Sequence, residues 1–445
     1  MSRIAIIGDN SIAYIDILLD IWNRGDSAIL VDRHIPMKVL KELLFEAHAK
    51  ECYVDEYLIN ELGDNLDIGI IPIKAVSNSA TIVPTKIYDK FQSNYSKDEA
   101  IIIYSSGTTG KAKGIILSHY AINTNADSIL DYMQLKESDT LYIVKPLFHS
   151  STITGELLVG LKGKTKMIIA PVLVPPRYVF DNINRYAVTT ICLNPTLLRL
   201  YANYVEANEL FTLSLKTIYV SGSLLDNRLL QQAINNFDNI RLYNVYGLSE
   251  AGPRVSAQRL NCAHNNSVGK PIKGVSIFVI NEEGEIAQTN EYGIVHISTP
   301  SLFSGYISGS TKHTSRYGNY LNSGDIGYID DYGELNIVDR VDNVIIIDSH
   351  KIYPSDIENT VLKYADVDEC SVIKIGRNNE SYLACVYAGR DSETMLRYKL
   401  KDFLLPYEIP KQFVKCEKLP KNSNGKVVME KVFSYIQSQK YYEPN

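Results

Sequence analysis

The sequence predicts an α/β fold: a large N-terminal domain of layered α/β subdomains with a β-rich subdomain, then a small α+β C-terminal domain. The first observation is that short apolar runs alternate with amphipathic stretches along the first half of the chain. Residues 3–7 and 27–31 are predicted as buried strands, and between them an amphipathic helix runs from Ser11 to Arg24 and ends at Gly25. This alternation is typical of layers with largely parallel sheets. Further strands are predicted at 100–104, 140–144, 165–170, 189–192, 216–220 and 240–244.

The second observation is a change of sequence texture at about residue 265. Short β-like runs separated by Gly and Asn turns then dominate, which predicts a β-rich subdomain over about 265–340. After this stretch, β and α patterns alternate again over a length typical of an independent small domain. The polar segment Asp339–Asn343 is the predicted link, so we expect domains at 1–340 and 341–445. The β-like runs are 274–280, 293–298, 325–329 and 334–338.

Composition is the third observation, and it bounds the class of protein. The 445 residues are 45% hydrophobic and 22% charged, an ordinary balance for a globular chain of about two or three domains. The formal net charge of −6 carries no basic excess, so nucleic acid is not an expected partner. The six cysteines are scattered without CxxC spacing, and we see neither a signal peptide nor an apolar run of the ~20 residues that span a bilayer. These features predict a cytoplasmic protein without a membrane span.

A loop rich in small and basic residues at 104–114 carries the clearest chemical signal. Its glycines let successive backbone N–H groups face one anion, its hydroxyls donate hydrogen bonds, and its lysines add positive charge, so it predicts a polyphosphate cradle. It is not a Walker loop, because too few residues separate its glycines and a strand follows it. A solvated turn is the alternative for such a loop taken alone. The predicted ligands are Ser105, Ser106, Gly107, Thr108, Thr109, Gly110, Lys111 and Lys113.

Tyr104–Gly114 resembles the phosphate loop of the adenylate-forming superfamily, which includes acyl-CoA synthetases, luciferases and adenylation domains of peptide synthetases. Ala112 stands where that superfamily usually has proline. The resemblance covers nearly the whole chain, with five motifs in the expected order. It implies ATP and Mg²⁺ as cofactors.

The segment Asn244–Glu250 resembles the second motif of the superfamily. Tyr246 is suited to stack on a purine, Asn244 to pair with an adenine edge, and Ser249 to bond a phosphate oxygen. Glu250 offers the hard oxygen that Mg²⁺ prefers, so it is the predicted metal ligand and a catalytic residue. Packing at a strand end is the alternative for the tyrosine. Gly247 within this motif and Gly222, in a segment resembling the adenine-pocket lining, complete the predicted nucleotide site.

Three motifs near the C-terminal end complete the resemblance. Asp325 matches the residue that accepts hydrogen bonds from both ribose hydroxyls, and Arg340 matches the arginine that contacts ribose and phosphate. Asp342 stands at the hinge position, about which the small domain rotates between two half-reactions. Lys426 matches the catalytic lysine, which bridges the attacking carboxylate and the α-phosphate and stabilises transition-state charge.

The acyl side of the predicted site centres on His149, which matches the gate over the acyl pocket; a structural histidine is the alternative. Ser150 stands where amino-acid-activating members have an aspartate for the substrate ammonium group. A buried ammonium group without a carboxylate partner is unfavourable, so we expect an aryl or aliphatic acid rather than an α-amino acid.

The resemblance implies that the chain forms an acyl-adenylate with release of pyrophosphate and then an acyl-CoA. Asp348 and Ser349 replace the usual glycines of the loop along which the pantetheine arm passes. A stand-alone adenylation enzyme that loads the phosphopantetheine of an acyl carrier protein is therefore the second hypothesis. A non-catalytic nucleotide-binding protein is the third.

Overall fold

The computed structural model describes residues 1–62, 68–74, 79–105, 113–172, 174–208, 214–223, 225–237, 239–260, 267–307, 315–317, 319–347, 350–376, 381–421 and 427–439. The strands are β1 (Arg3–Ile7), β2 (Ser27–Val31), β3 (Glu51–Asp55), β4 (Gly69–Ile73), β5 (Thr81–Ile82), β6 (Glu99–Ser105), β7 (Lys113–Ser118), β8 (Thr140–Ile143), β9 (Lys166–Ile169), β10 (Thr190–Leu193), β11 (Thr217–Ser221), β12 (Arg241–Tyr246), β13 (Ser256–Arg259), β14 (Lys270–Pro271), β15 (Ser276–Ile280), β16 (Gly293–Ser298), β17 (Gly305–Tyr306), β18 (Ser315–Tyr317), β19 (Tyr320–Ile329), β20 (Leu335–Arg340), β21 (Ile345–Ile347), β22 (His350–Ile352), β23 (Val367–Ile375), β24 (Tyr382–Gly389) and β25 (Gln412–Lys415).

The α-helices are α1 (Ile12–Asn23), α2 (Met37–Glu46), α3 (Ile59–Leu62), α4 (Thr85–Lys90), α5 (His119–Met133), α6 (Ser150–Thr152), α7 (Val159–Lys162), α8 (Pro176–Tyr186), α9 (Pro195–Asn208), α10 (Asn227–Asn236), α11 (Pro354–Tyr364), α12 (Glu393–Leu400) and α13 (Met429–Gln439). A π-helical segment, Ile153–Leu158, joins α6 to α7. Short 3₁₀ turns lie at Glu56–Leu58, Ser249–Ala251 and Val341–Asn343.

The first sheet has the strand order β17-β7-β6-β2-β1-β3-β4. The strands from β6 to β4 run parallel, and β7 and β17 add antiparallel neighbours at one edge. Strands β1 and β2 are mostly apolar, as expected for strands that are covered on both faces of a sheet. Every residue of β2 is buried. Helix α1 begins after Ser11, whose side chain accepts a hydrogen bond from the Tyr14 N–H and so caps the helix.

The second sheet has the order β14-β13-β12-β11-β10-β8-β9-β5, with a parallel centre and antiparallel strands at both edges. Cys192 of β10 lies opposite Tyr219 of β11, which lies opposite Tyr243 of β12. Residues directly paired in a parallel sheet project from the same face, so these three form a row across the sheet. The rings of Tyr219 and Tyr243 stack with centroids 4.8 Å apart.

The chain divides into two compact units. The first comprises Met1–Gly222, Asn236–Phe278 and His296–Ser323, and it holds the two sheets described above. The second comprises Ser223–Asn235, Val279–Val295 and Gly324–Asn445. The predicted boundary at Arg340 and Val341 lies within the second unit, and it stays a prediction.

The second unit is organised around β23, β24 and β25, in which β23 and β24 run antiparallel and β24 and β25 parallel. Its two apolar clusters lie around α11 with α12, and around α13. Strands β21 and β22 form a separate antiparallel pair.

The predicted α/β fold class is confirmed, and each strand that the sequence predicts has a counterpart in the structure. The cysteines of the described residues (Cys52, Cys192, Cys370, Cys385 and Cys416) are all free thiols. None of the described helices combines the length and the apolar character needed to cross a bilayer.

Candidate active site

Strands β6 and β7 bring the two ends of the predicted phosphate loop together. They pair antiparallel, with Ser105 opposite Lys113 and Tyr104 opposite Gly114. A Cβ atom at Gly114 would lie 2.7 Å from Ile307 Cγ1, so the position has no room for a side chain. Lys113 is half-buried beside the loop. The remaining predicted ligands of the loop lie outside the described residues: Ser106, Gly107, Thr108, Thr109, Gly110 and Lys111.

The second motif follows the end of β12. Asn244 is buried and its Nδ2 donates to the backbone carbonyl of Ser267 at 3.0 Å, which fixes the amide. Tyr246 is half-buried. A Cβ atom at Gly247 would lie 1.9 Å from the carbonyl oxygen of Pro253, so only glycine lets the two backbone segments approach so closely. Gly222, after β11, has a φ of +113° that also favours glycine.

Ser249 and Glu250 occupy the 3₁₀ turn after β12, where contacts hold them from two directions. The hydroxyl oxygens of Ser249 and Ser150 lie 2.8 Å apart, so the second motif directly contacts the segment that follows the predicted acyl gate. The Tyr306 hydroxyl donates to Glu250 Oε1 at 2.9 Å, and the Phe303 N–H donates to the Glu250 carbonyl at 2.9 Å. The carboxylate of Glu250 is therefore oriented by β17.

The donor set at Glu250 fits Mg²⁺. Within the described ranges no group of three or more His, Cys, Asp or Glu side chains could hold a metal ion by itself. Mg²⁺ is commonly held by one or two carboxylates together with substrate phosphates rather than by an all-protein cage. A single oriented carboxylate next to a hydroxyl that can bond phosphate matches that pattern.

His149 stands immediately before α6 and is half-buried. Its ring lies 4.4 Å from the Phe148 ring. Ser150, the next residue, is only 5% exposed, and its hydrogen-bonding partner is a hydroxyl rather than a charged group. The segment thus offers aromatic and hydroxyl groups.

The predicted ribose residues lie in the second unit. Asp325 of β19 lies directly opposite Arg340 of β20, and Arg340 Nη1 donates to Asp325 Oδ1 at 2.8 Å. Asp325 is 6% exposed, whereas the Arg340 side chain is 34% exposed. The arginine therefore orients the carboxylate that is predicted to bind ribose.

The predicted hinge residue Asp342 is exposed within the 3₁₀ turn that follows β20. The neighbouring Asp339 is buried, and its carboxylate accepts hydrogen bonds from Asn343 Nδ2 at 2.9 Å and from the Ser355 N–H at 3.0 Å. Asp339 therefore ties the predicted link to the start of α11. Lys426, Asp348 and Ser349 lie outside the described residues.

A buried group of charged side chains in the first unit was not predicted from the sequence. Lys145 Nζ lies 3.0 Å from Glu156 Oε1, and Arg254 is close enough for its charge to act on Glu156. Burial raises the pKa of Glu156, and the positive charges of Lys145 and Arg254 oppose that rise. All three side chains are almost completely buried. The sequence offers one signal that could have revealed this group, because each of its three residues lies close to a predicted motif.

The model of the AMP-binding enzyme family matches residues 1–307, more than half of the chain. The chain belongs to this family. Among its relatives is a 2-succinylbenzoate–CoA ligase from Lactococcus lactis, 24% identical over 439 residues, which covers 97% of this chain and 90% of that protein.

Solved structures share the fold of this AMP-binding enzyme. An o-succinylbenzoate CoA synthetase from Bacillus subtilis, bound to its acyl-adenylate intermediate, matches with a TM-score of 0.82 and 21% identity over 97% of this chain and 88% of that one. An ATP-bound MatB from Rhodopseudomonas palustris matches with a TM-score of 0.84 and 20% identity over 99% and 90%. The predicted resemblance to the adenylate-forming superfamily is confirmed.

The structure of the AMP-binding enzyme brings some predicted residues together. Ser249 and Glu250 lie beside the acyl segment at Ser150, and Asp325 is paired with Arg340. The sequence reasoning missed Tyr306, which orients Glu250, because their contact depends on pairing between the distant strands β7 and β17.

Proposed function

We propose that this AMP-binding enzyme activates a carboxylic acid with ATP and transfers the acyl group to a thiol. A carboxylate oxygen of the acid attacks the α-phosphorus of ATP, and the bond to the β-phosphate oxygen breaks. Pyrophosphate leaves with the electron pair of that bond, and an acyl-adenylate remains. The thiolate sulfur of the acceptor then attacks the acyl carbon, and AMP leaves.

The contact between Ser150 and Ser249 is the observation that carries this proposal. One hydroxyl belongs to the segment predicted to form the acyl pocket and the other to the motif predicted to bind phosphate. Adenylation requires the acid and the α-phosphate to meet, so adjacent acyl and phosphate segments are what the reaction needs.

Each site residue has a proposed role. Glu250 would hold Mg²⁺ together with the phosphates, and the bound ion would neutralise charge on the phosphate oxygens. Tyr246 and Asn244 bind adenine, Asp325 and Arg340 bind ribose, and Lys426 bridges carboxylate and α-phosphate. The loop from Ser105 to Lys113 binds the leaving pyrophosphate.

The acid is proposed to be aryl or aliphatic. Ser150 offers no negative charge to an α-ammonium group, and a buried cation without a partner is strongly unfavourable. The relatives whose names specify succinylbenzoate act on an aromatic acid without an amino group, which agrees with this assignment.

The proposed acceptor is CoA, as in the relatives named as CoA ligases. Asp348 and Ser349 keep a carrier-protein phosphopantetheine as the alternative, because side chains replace glycines there and an acidic group disfavours the phosphates of CoA. Parallel thioester assays with CoA and with phosphopantetheine on a carrier protein distinguish the two acceptors. Turnover with the carrier protein alone would overturn CoA as the acceptor.

Acid-dependent exchange of pyrophosphate into ATP tests the first half-reaction. We expect exchange with members of a panel of aryl, short-chain and long-chain acids, and a fall of at least about 10²-fold in Glu250→Gln, which can still accept from Tyr306 but has no negative charge. Glu137→Gln, at an exposed position, is the matched control and should keep full activity. Nucleotide binding without exchange for any acid would instead support a non-catalytic nucleotide-binding protein.

A further inference from the structure

The turn after β1 occupies the place in the first sheet where α/β folds usually bind ligands. Strand β1 lies between β2 and β3, so the strand order reverses at β1. In open sheets of this kind, ligands bind beyond the carboxyl ends of the strands at such a reversal. In this protein the turn presents Asn10, whose side chain contacts another segment of the same unit.

The side-chain amide of Asn10 holds a segment that begins 135 residues further along the chain. Its Nδ2 donates to the Lys145 carbonyl at 2.9 Å, and its Oδ1 accepts from the Leu147 N–H at 2.8 Å. Asn10 is 6% exposed, so both bonds are shielded from water. One amide therefore pairs with the backbone groups on either side of Pro146, and losing it would leave buried polar groups unsatisfied.

Asn10 is itself held from both sides. The N–H of the preceding Asp9 donates to Asp55 Oδ2 at 2.7 Å, which ties the turn to the end of β3. A Cβ atom at Gly8 would lie 2.8 Å from Asp55 Oδ1, so glycine leaves the room that this carboxylate needs. The following Ser11 caps α1. The sheet and the helix thus fix the position from which the Asn10 amide reaches out.

The segment that Asn10 holds leads directly to the predicted acyl gate. The His149 N–H donates to the Pro146 carbonyl at 3.3 Å, which closes a turn over these four residues. The His149 carbonyl accepts from the N–H groups of Thr152 and Ile153, each at 3.0 Å. The backbone of His149 is therefore fixed on one side by the helical segment that follows it. On the other side it is fixed by the turn that Asn10 holds.

The place of the His149 ring depends on this turn. The ring is half-buried and lies 4.4 Å from the Phe148 ring, so a shift of the backbone would move both rings together. We propose that Asn10 is a positioning residue for the acyl gate. Its oxygen and nitrogen both bond to the held segment, so it acts on the acid through His149. The inference rests on the proposed acid activation and adds a residue that sets how the acid is bound.

The kinetics of Asn10→Ala in acid-dependent pyrophosphate exchange test this role. We expect kcat/KM for the acid to fall roughly 10²-fold, the scale of a displacement of about 1 Å at a reacting site, while KM for ATP stays within about twofold. Asn123→Ala is the matched control, because Asn123 is also buried but its Nδ2 donates to the His119 carbonyl within α5. Equal effects on the acid and on ATP in Asn10→Ala would overturn the positioning role.

A second variant covers a failure of Asn10→Ala to fold. Asn10→Asp keeps the shape of the side chain and the oxygen that accepts from Leu147, but its carboxylate repels the Lys145 carbonyl. We expect kcat/KM for the acid to fall about tenfold in this variant, since one of the two hydrogen bonds is lost. An unchanged value in the folded variant would contradict the proposal.

A double-mutant cycle assigns the effect to His149. His149→Ala alone should lower kcat/KM for the acid. Adding Asn10→Asp to it should lower the value by less than about threefold more, because the group that Asn10 positions is then absent, and coupled residues are not additive. Losses that multiply in the double variant would show that Asn10 does not act through His149.

Amide hydrogen–deuterium exchange separates this inference from the proposed acid activation, because it needs no substrate. The amides of Leu147 and His149 should lose protection by at least about tenfold in Asn10→Asp. Equal protection in wild type and variant, with acid-dependent pyrophosphate exchange in the wild type, would overturn the role of Asn10 and keep acid activation. Lost protection in the variant, without pyrophosphate exchange for any acid in the wild type, would overturn acid activation and keep the hold of Asn10 on this segment.

Discussion

The two compact units hold Arg340 and Arg254 in different ways. In the second unit, Arg340 donates to Asp325 at 2.8 Å with a third of its side chain exposed. In the first unit, Arg254 is buried and the Nε–Nη2 edge is unpaired within the described residues. Two carboxylates differ as well: Glu156 is buried and faces two cations, whereas the half-buried Glu358 accepts from the backbone N–H of Val372 at 2.7 Å.

The comparison distinguishes Arg340, whose charge orients a neighbouring carboxylate, from Arg254, two of whose nitrogens lack a hydrogen-bond partner within the described residues. Arg340 is partly exposed whereas Asp325 is buried, and the role that we propose for Arg340 is to position the Asp325 carboxylate. A buried cation with unused donors destabilises the folded chain unless an anion joins it.

The largest effect is expected from removing the carboxylate of the buried group. Glu156→Leu leaves Lys145 and Arg254 without a counter-charge and should lower the free energy of unfolding of the first unit by about 3–5 kcal/mol. The fluorescence of the sole tryptophan, Trp22 of α1 in the first unit, reports this during denaturant unfolding. Lys145→Met combined with Glu156→Leu should recover part of the loss. A change below about 1 kcal/mol in Glu156→Leu would contradict a charged, coupled group.

Lys426, which we propose bridges the attacking carboxylate and the α-phosphate, provides a contrasting prediction. Lys426→Ala should reduce acid-dependent pyrophosphate exchange by roughly 10²–10³-fold, the scale of removing one electrostatic stabiliser, while the unfolding midpoint stays unchanged. Lys431→Ala, at an exposed position of α13, is the control. Exchange at the wild-type rate in Lys426→Ala would remove this lysine from the mechanism.

A smaller, pH-dependent effect is expected at Glu358. The pKa of Glu358 is raised to about 8, mainly by burial and then by the negative charge of Asp339. The hydrogen bond from the Val372 N–H opposes this rise. Between its ordinary value of 4.5 and about 8, the folded chain therefore binds more protons than the unfolded chain. The contribution of this group to stability is present at low pH and is lost as the pH rises through that interval.

Glu358→Gln should remove that pH dependence while its amide oxygen still accepts from Val372. Scanning calorimetry of the wild type and the variant across the interval measures the difference, with Glu417→Gln as the exposed control. Parallel pH profiles for wild type and Glu358→Gln would show that Glu358 keeps an ordinary pKa.

A smaller effect on stability than at Glu156 is expected at Arg340. Arg340→Met should lower the free energy of unfolding by about 1–3 kcal/mol, because the buried Asp325 carboxylate loses a hydrogen-bond donor. It should nevertheless raise the KM for ATP roughly tenfold, because Asp325 loses its orienting donor and the nucleotide loses a charged contact. A large loss of stability with unchanged KM would reverse the comparison between the two arginines.

The local parts of the fold were predictable from the sequence. The bounds of β1 and β2 agree with the predicted runs, because buried isoleucines and a helix cap are local signals. The two-residue strands β5, β14 and β17 were not predicted, since each exists only through pairing with a strand elsewhere in the chain. Too few residues lie in each of them for a periodic pattern.

The candidate site likewise has parts that could be predicted from the sequence and parts that could not. Asn244–Glu250 and Asp325 could be predicted because each lies in a contiguous motif, and the structure adds the contacts that hold them. The group of Lys145, Glu156 and Arg254 was missed because its members come together only through tertiary packing. A single charged residue inside an apolar run is a weak signal until its partner is known.

The antiparallel pairing of Ser105 with Lys113 has a consequence for how the enzyme could be altered. Because the strands hold both ends of the intervening segment together, its length adds little to the free energy of folding; doubling a loop costs only about 0.6 kcal/mol in closure entropy. Insertions between these two positions should therefore leave the sheet folded while displacing the residues that we propose bind pyrophosphate. Changes between these two positions could therefore alter anion specificity while the sheet remains folded. The fold and the binding chemistry could evolve separately at this point of the chain.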